Sequence, residues 1–260
     1  MNLTRYAYAA AAAVLIATPL EAQDTWNWRK AIAAGRTVEI KGINGDVSAT
    51  AASGSEVEVV AKKSAKSSDP DDVKIEVVEH AGGVTICAVY PPGRDRRPNE
   101  CQPGERGRNN SQNNDTNVDW EIRVPRNVGF AGRTVNGAVR ATGLTGDAAG
   151  HTVNGSVRIS TTGLARAGTV NGSITVRMGR ANWSDELSFG TVNGSIVLEL
   201  PESFEARVDA STVNGSFSSD WPLTVRGKFG PKRVSGTVGK GGRDLDLSTV
   251  NGDIELRKHN

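Results

Sequence analysis

The sequence predicts an all-β protein: a single-stranded β-solenoid, parallel β-helix-like, with a less regular β-rich N-terminal part. Three observations predict it. A Thr-Val-Asn-Gly-Ser string recurs through the second half of the 260 residues. Apolar and polar residues alternate around each copy with the period of a strand. The composition, with 30 Gly and 5% aromatic residues, suits a thin core of small and β-branched side chains.

The repeat comes first, because a period near 20 residues marks a stacked architecture. Its Gly falls at 137, 155, 172, 194, 215 and 252, and Val234-Ser235-Gly236-Thr237-Val238 reads as a degenerate copy. With that copy the steps are 18, 17, 22, 21, 21 and 16 residues. These seven units run from about Arg133 to the end, and Ile43-Asn44-Gly45-Asp46-Val47 is an earlier relative.

Two readings of Asn-Gly compete. A two-residue hairpin is the strongest short turn signal, but it places Val153 opposite Ser156 and Thr152 opposite Val157, mixing polar and apolar on each face. A continuous strand puts Val153, Gly155, Val157 and Ile159 on one face and Thr152, Asn154, Ser156 and Arg158 on the other. The pattern recurs at Val170, Gly172, Ile174 and Val176, and at Val192, Gly194, Ile196 and Leu198. The strand reading, straight or bent at the Gly, is therefore favoured, with the repeated Gly facing inward so that opposing walls approach closely or the chain turns a corner. At ~4.8 Å per stacked strand, seven rungs rise ~30 Å, with unequal rungs forming corner loops such as 180–186.

Before the repeats, strands are expected at Thr37–Lys41, Val57–Lys62, Val73–Val78, Val84–Val89 and Val118–Val124. Trp26 and Trp28 before Ala31–Ala34 read as an N-terminal cap, which a solenoid needs against edge-to-edge growth. Residues 91–117, rich in Pro, Gly, Asn and Arg, read as a mobile loop. The division is then a signal peptide over 1–22, an N-terminal β region over 23–130 with its cap and Arg/Pro-rich loop, and repeats over 131–260. The signal reading rests on Arg5, an alanine-rich stretch from about Ala7 to Ala17 too short to span a bilayer, and a Leu20-Glu21-Ala22 cleavage site. The mature chain is therefore expected to be periplasmic or secreted, with no transmembrane span after signal removal. Cys87 and Cys101, the two cysteines, are expected to form a disulfide there.

The repeated Thr-Val-Asn-Gly-Ser-Val/Ile, the Val124-Pro125 step before the first full repeat, and Ile43-Asn44-Gly45-Asp46-Val47 resemble the bacterial putative-adhesin β-strand-repeat family of unknown function. The resemblance covers about residues 35–260 apart from the 91–117 loop. It implies a β-solenoid envelope or secreted protein without established catalytic residues.

The net charge of +2 argues against a dedicated nucleic-acid partner. No catalytic residue, metal or cofactor is expected: His80, His151 and His259 have no ligand spacing, and no Ser lies in Gly-x-Ser-x-Gly. Asp185 with Glu186, and Asp244 with Asp246, are local pairs without a stacked acidic cluster. Two binding features remain. Arg94, Arg96, Arg97, Arg106 and Arg108 around Cys101 form a candidate anion-binding loop. Thr134, Thr152, Thr169, Thr191, Thr212 and Thr249 line up as a polar ladder. Beside them run Asn136, Asn154, Asn171, Asn193, Asn214 and Asn251, then Ser156, Ser173, Ser195 and Ser216. This ladder is read first as structure, through stacked amides, and second as a binding face.

The expected function is that of a non-enzymatic, adhesin-like β-solenoid with a binding or structural role at the cell envelope. Its expected partners are envelope glycans or other surface proteins. The alternative is a polysaccharide-active, lyase- or hydrolase-like β-helix enzyme. The alternation predicts that Val170→Asp and Ile196→Asp each bury an unpaired charge and unfold neighbouring rungs, which thermal denaturation would read.

Overall fold

The computed structural model describes residues 24–94, 96–184, 186–226 and 232–259. The signal-peptide expectation over 1–22 lies outside the described residues. The N-terminal part holds β1 (Asp24–Ala31), β2 (Thr37–Lys41), β3 (Val47–Ala51), β4 (Glu56–Ser64), β5 (Lys74–His80), β6 (Gly83–Val89) and β7 (Asn117–Val124). The repeats then supply β8 (Gly129–Arg133), β9 (Val139–Leu144), β10 (Ala148–His151), β11 (Val157–Thr161), β12 (Ala165–Gly168), β13 (Ile174–Met178), β14 (Leu187–Gly190) and β15 (Ile196–Pro201). The C-terminal part holds β16 (Ala206–Asn214), β17 (Phe217–Ser219), β18 (Thr224–Arg226), β19 (Lys232–Val238), β20 (Asp244–Asn251) and β21 (Ile254–His259).

The chain is all-β and solenoid-like, with two strands in each turn of the coil. The first strand of each turn joins one sheet, in the order β18-β19-β16-β20-β14-β12-β10-β8-β2-β6-β5. The second joins a facing sheet, in the order β1-β4-β7-β3-β9-β11-β13-β15-β21-β17. Neighbouring rungs pair parallel and in register, so Val139, Val157, Ile174, Ile196 and Ile254 form one buried row. The facing sheet supplies small residues where the layers are closest. A Cβ on Gly150 would stand 2.6 Å from Val157 Cγ1, and one on Gly132 would stand 2.8 Å from Val139 Cγ1. Inward glycine therefore does thin the core, but at these two positions and not at the repeated Gly.

The strand expected to run through Asn-Gly is corrected. Thr152, Thr169 and Thr191 are buried, while Val153, Val170 and Val192 are 39–40% exposed. Thr-Val-Asn-Gly-Ser is the corner between the two sheets, where the chain turns and the strand alternation breaks. Only the residues after the Gly, such as Val157 and Ile159, keep the inward face assigned from sequence.

The rung order is also not the sequence order. Asn44, Asn136, Asn154, Asn171 and Asn193 stack in turn, but Asn193 then pairs with Asn251, and Asn251 with Asn214. The final repeat thus sits between the two that precede it. The degenerate copy at 234–238 is no rung: it lies in β19, antiparallel to β16. Ser235 stands where the other copies have Asn, so it has no amide to stack. The seventh Asn rung comes instead from the early relative at Asn44.

Antiparallel strands close the N-terminal end of both sheets and the C-terminal end of one; the other sheet ends on β17, parallel to β21. At the N-terminal end β1 pairs with β4, and Trp26 and Trp28 pack against the core. Towards the C-terminus, Trp183 stacks on Phe204 with ring centroids 6.1 Å apart, and Phe204 meets Trp221 edge to face at 5.2 Å. Phe217, partly buried, packs against the core on the terminal rung.

These faces revise the charge-insertion test. Ile196→Asp, at a fully buried position, should destabilise by more than about 3 kcal/mol. Val170→Asp should stay within about 1 kcal/mol of the parent. Denaturant titration of both variants checks the assignment, and equal losses would refute it.

Candidate functional site

The stacked corner is built from three rows of side chains, each with a different task. Thr comes first. Its buried hydroxyl donates across to the Gly carbonyl of the adjacent rung: Thr152 to Gly137 at 2.8 Å, Thr169 to Gly155 at 2.8 Å, Thr191 to Gly172 at 2.9 Å, Thr249 to Gly194 at 2.9 Å and Thr212 to Gly252 at 2.9 Å. Thr134 does the same to Gly45 at 3.1 Å. The Thr row is therefore not an outward face, and its hydroxyls are committed to the fold.

Asn follows at the exposed apex. Each Nδ2 donates to the Oδ1 of its neighbour. Asn136 donates to Asn44 at 2.9 Å, Asn154 to Asn136 at 2.8 Å, Asn171 to Asn154 at 2.9 Å and Asn193 to Asn171 at 2.7 Å. The run continues from Asn251 to Asn193 at 2.7 Å and from Asn214 to Asn251 at 2.8 Å. All six bonds point the same way, and Asn44 ends the run on the Thr116 carbonyl at 3.3 Å. Aligned amide bonds polarise one another, so the row is stiffer than isolated pairs.

Ser, or Asp in its place, forms the third row and accepts from the next backbone. Ser173 N–H donates to Ser156 Oγ at 3.2 Å, Ser195 N–H to Ser173 Oγ at 3.3 Å and Asp253 N–H to Ser195 Oγ at 3.1 Å. Ser216 donates from both N–H and Oγ to Asp253 Oδ1 at 2.7 Å. Asp46 accepts from Ala138 N–H at 2.7 Å and from Arg140 at 2.6 Å. Burial pushes the Asp46 carboxyl up, but these two hydrogen bonds and the Arg140 charge leave it below its ordinary value.

Sequence reasoning missed the Val of each motif, which shares the exposed apex with Asn. Val135, Val153, Val170, Val192, Val250 and Val213 follow one another in rung order at 36–40% exposure. The available signal was the repetition of Val itself, which period-two alternation assigned to the core.

The Arg-rich loop is tethered, against the expectation of a mobile segment. Cys87 and Cys101 are disulfide-bonded with Cα atoms 5.7 Å apart. Lys41, the register partner of Cys87, donates from Nζ to the carbonyls of Gln102, Gly104 and Arg106 at 2.8–2.9 Å. Desolvation lowers its pKa and the Glu39 charge opposes that shift. Buried Glu39 accepts from Thr85 Oγ1 and Gly104 N–H at 2.9 Å and from Arg133 Nε at 3.2 Å. Burial pushes the Tyr90 phenol up to about 12, so it stays protonated and donates to Thr116 O at 2.8 Å.

The five candidate Arg do not converge. Arg106 and Arg108 line a cavity of about 290 Å³ with Lys41, Arg133, Glu100 and Glu105, whereas Arg94, Arg96 and Arg97 are exposed on the other limb of the loop. No sequence signal linked Lys41, Glu39 or Arg133 to that loop.

The acidic residues are placed as follows. Asp244 forms a two-point bridge to Arg207 at 2.7 and 2.9 Å. Asp246 is the register partner of Asp209; desolvation and that neighbour raise its pKa. Burial, then the Arg133 charge, lowers the His151 pKa. Among the described residues no group of three or more His, Cys, Asp or Glu side chains is placed to hold a metal ion.

Two facing sheets wound from one chain, joined by a corner of repeated Thr-Val-Asn-Gly, define a β-solenoid. Residues 133–257 match the Toastrack DUF4097 family model. Three solved structures are similar. A putative cell adhesion protein from Clostridium sporogenes ATCC 15579 aligns with 91% of this chain and 100% of its own, at 14% identity and a TM-score of 0.44. A putative adhesin from Bacteroides fragilis NCTC 9343 covers 90% and 97% at 13% identity and a TM-score of 0.34. One from Parabacteroides distasonis ATCC 8503 covers 91% and 98% at 8% identity and a TM-score of 0.25. No curated protein matches the chain.

Two outcomes follow from the corner. Asn171→Ala removes two ladder bonds and should cost about 1–2 kcal/mol, measured by urea unfolding, with Val170→Ala as the neighbouring control. Because the folded Asp46 carboxyl lies below its unfolded value, its contribution is present above the ordinary value of 3.8 and is lost as pH falls through the folded value. Asp46→Asn should therefore reduce the acid-induced loss of stability, as read by thermal melts across pH 2–6.

Proposed function

We propose that this protein is a non-catalytic, adhesin-like β-solenoid that acts in binding or structure at the cell envelope. One observation carries the reading: the polar side chains of the repeats are spent on rung-to-rung hydrogen bonds. Thr, Ser and the inner half of each Asn amide hold backbone and neighbouring side chains, leaving a stiff rod with a regular exposed edge. Such a rod suits display of a surface, since long parallel binding faces are what stacked repeats provide.

A periplasmic or secreted location is part of the proposal. It is supported by the Arg5 and alanine-rich N-terminus and by the Cys87–Cys101 disulfide, which persists in oxidising compartments. Among the described residues no helix is long and apolar enough to cross a membrane. Envelope glycans and surface proteins are the proposed partners.

The test is fractionation of bacterial cells expressing the full chain with a C-terminal tag. The processed protein should leave the cytoplasm and co-sediment with isolated envelopes. Retention of the full-length precursor in the cytoplasm would overturn the reading, as would an envelope-free protein that turns over polysaccharide.

A further inference from the structure

We propose that the Val–Asn apex is a ligand-binding ridge that takes a single strand of an extended, uncharged, β-linked polysaccharide. This rests on the envelope-binding reading above and names the ligand class and the residues.

The fold does not require Val at the apex. Its side chain points away from the core, and its backbone bonds, such as Val153 N–H to Val135 O at 3.3 Å, can be made by any residue except proline. Nevertheless all six exposed positions hold Val, and among the described residues these are the exposed large hydrophobics. They form one unbroken row across six rungs, spanning ~24 Å at ~4.8 Å per step. At the N-terminal end the row stops where Ile43, at 7% exposure, is covered, beside the Tyr90 and Thr116 contacts of Asn44.

The neighbouring Asn row has unspent hydrogen-bonding capacity. An amide carries two N–H donors and two lone pairs on oxygen. The ladder uses one of each, so each exposed Asn in the run presents a second donor and a second acceptor at the apex. The ladder has already fixed the rotamers, so binding costs little further side-chain entropy. Each rung therefore offers one apolar contact, one donor and one acceptor, repeated at constant spacing.

Three properties select the ligand. The Val and Asn positions of the apex carry no ionisable side chain, and the Ser row beside them carries Asp at 253 and no cation, so an anionic polymer finds no counter-charge there. A ridge one Val and one Asn wide is narrow for a folded partner, which needs ~800 Å² per side. A β-linked polysaccharide strand places flat sugar rings one after another at close to the rung pitch. Its ring C–H groups suit Val, and its hydroxyls, each donor and acceptor, suit the spare Asn groups.

The test uses the intact protein, with pull-down on insoluble cellulose and chitin and affinity electrophoresis in soluble hydroxyethylcellulose; polygalacturonate is the acidic comparison. Wild type should be retained by the neutral glycans with little dependence on salt. The double variant Val153→Lys with Val192→Lys should weaken retention by about tenfold or more, while Val153→Thr with Val192→Thr, which keeps the branched shape, should weaken it less. Thermal melts confirm that both variants fold. Equal retention of wild type and the Lys variant would overturn the proposal. So would wild-type retention by polygalacturonate alone with release by salt, which would point to the Arg-rich loop, and so would retention by none of these polymers. In each case co-sedimentation with envelopes is read independently, so loss of the ridge proposal and loss of the envelope reading are separate outcomes.

Discussion

The structure depends on how closely one rung's backbone approaches the next at the Asn-Gly corner. A Cβ built on Gly155 would stand 2.0 Å from the Gly137 carbonyl oxygen, and one on Gly172 the same distance from that of Gly155. The contact repeats from Gly45, against Val118, to Gly215, against Gly252. A side chain here would force the rungs apart, so the requirement is close approach along the stack. Once Gly permits that spacing, the Thr hydroxyl reaches the same carbonyl, and the Asn amides and Ser hydroxyls fall within hydrogen-bond distance of their counterparts. Four residue types are thus fixed by one separation.

The same corner explains how the last repeat can sit out of sequence order. Each rung offers its neighbours the same Gly carbonyl, Asn amide and parallel backbone edge. The rung at Gly252 therefore fits between those at Gly194 and Gly215 with bonds equivalent to the others: Thr249 to Gly194, Asn251 to Asn193 and Thr212 to Gly252. The side chains do not encode position in the stack. Position is set by the chain ends, where β16 takes β19 as an antiparallel neighbour on one edge and β20 as a parallel neighbour on the other.

The N-terminal part extends this scaffold and adds electrostatics. Rung β2–β3 carries the corner chemistry into the early chain, and both sheets continue across residue 130. On its outer face, Glu39, Lys41 and Arg133 lie beside the disulfide-bonded loop, and each finds partners in that loop or in its neighbours. The charges that looked local in the sequence are divided between a loop limb held on the sheet and an exposed limb carrying Arg94, Arg96 and Arg97.

Sequence alone determined the all-β class, the expected strand runs at Thr37–Lys41 and Val118–Val124, the cysteine pair, the stacked Asn row and the inward face after each Gly. Each follows from local pattern or from repetition, and stacking turns repetition into contact. Tertiary structure decided the rest. It buried Thr and exposed Val, because a corner breaks the period-two rule that holds within a strand. It ordered the final rungs, because identical repeats carry no information about which neighbour each will meet. It laid the Arg-rich loop on Lys41 and Glu39, because that contact joins residues more than sixty positions apart and leaves no periodic trace in the chain.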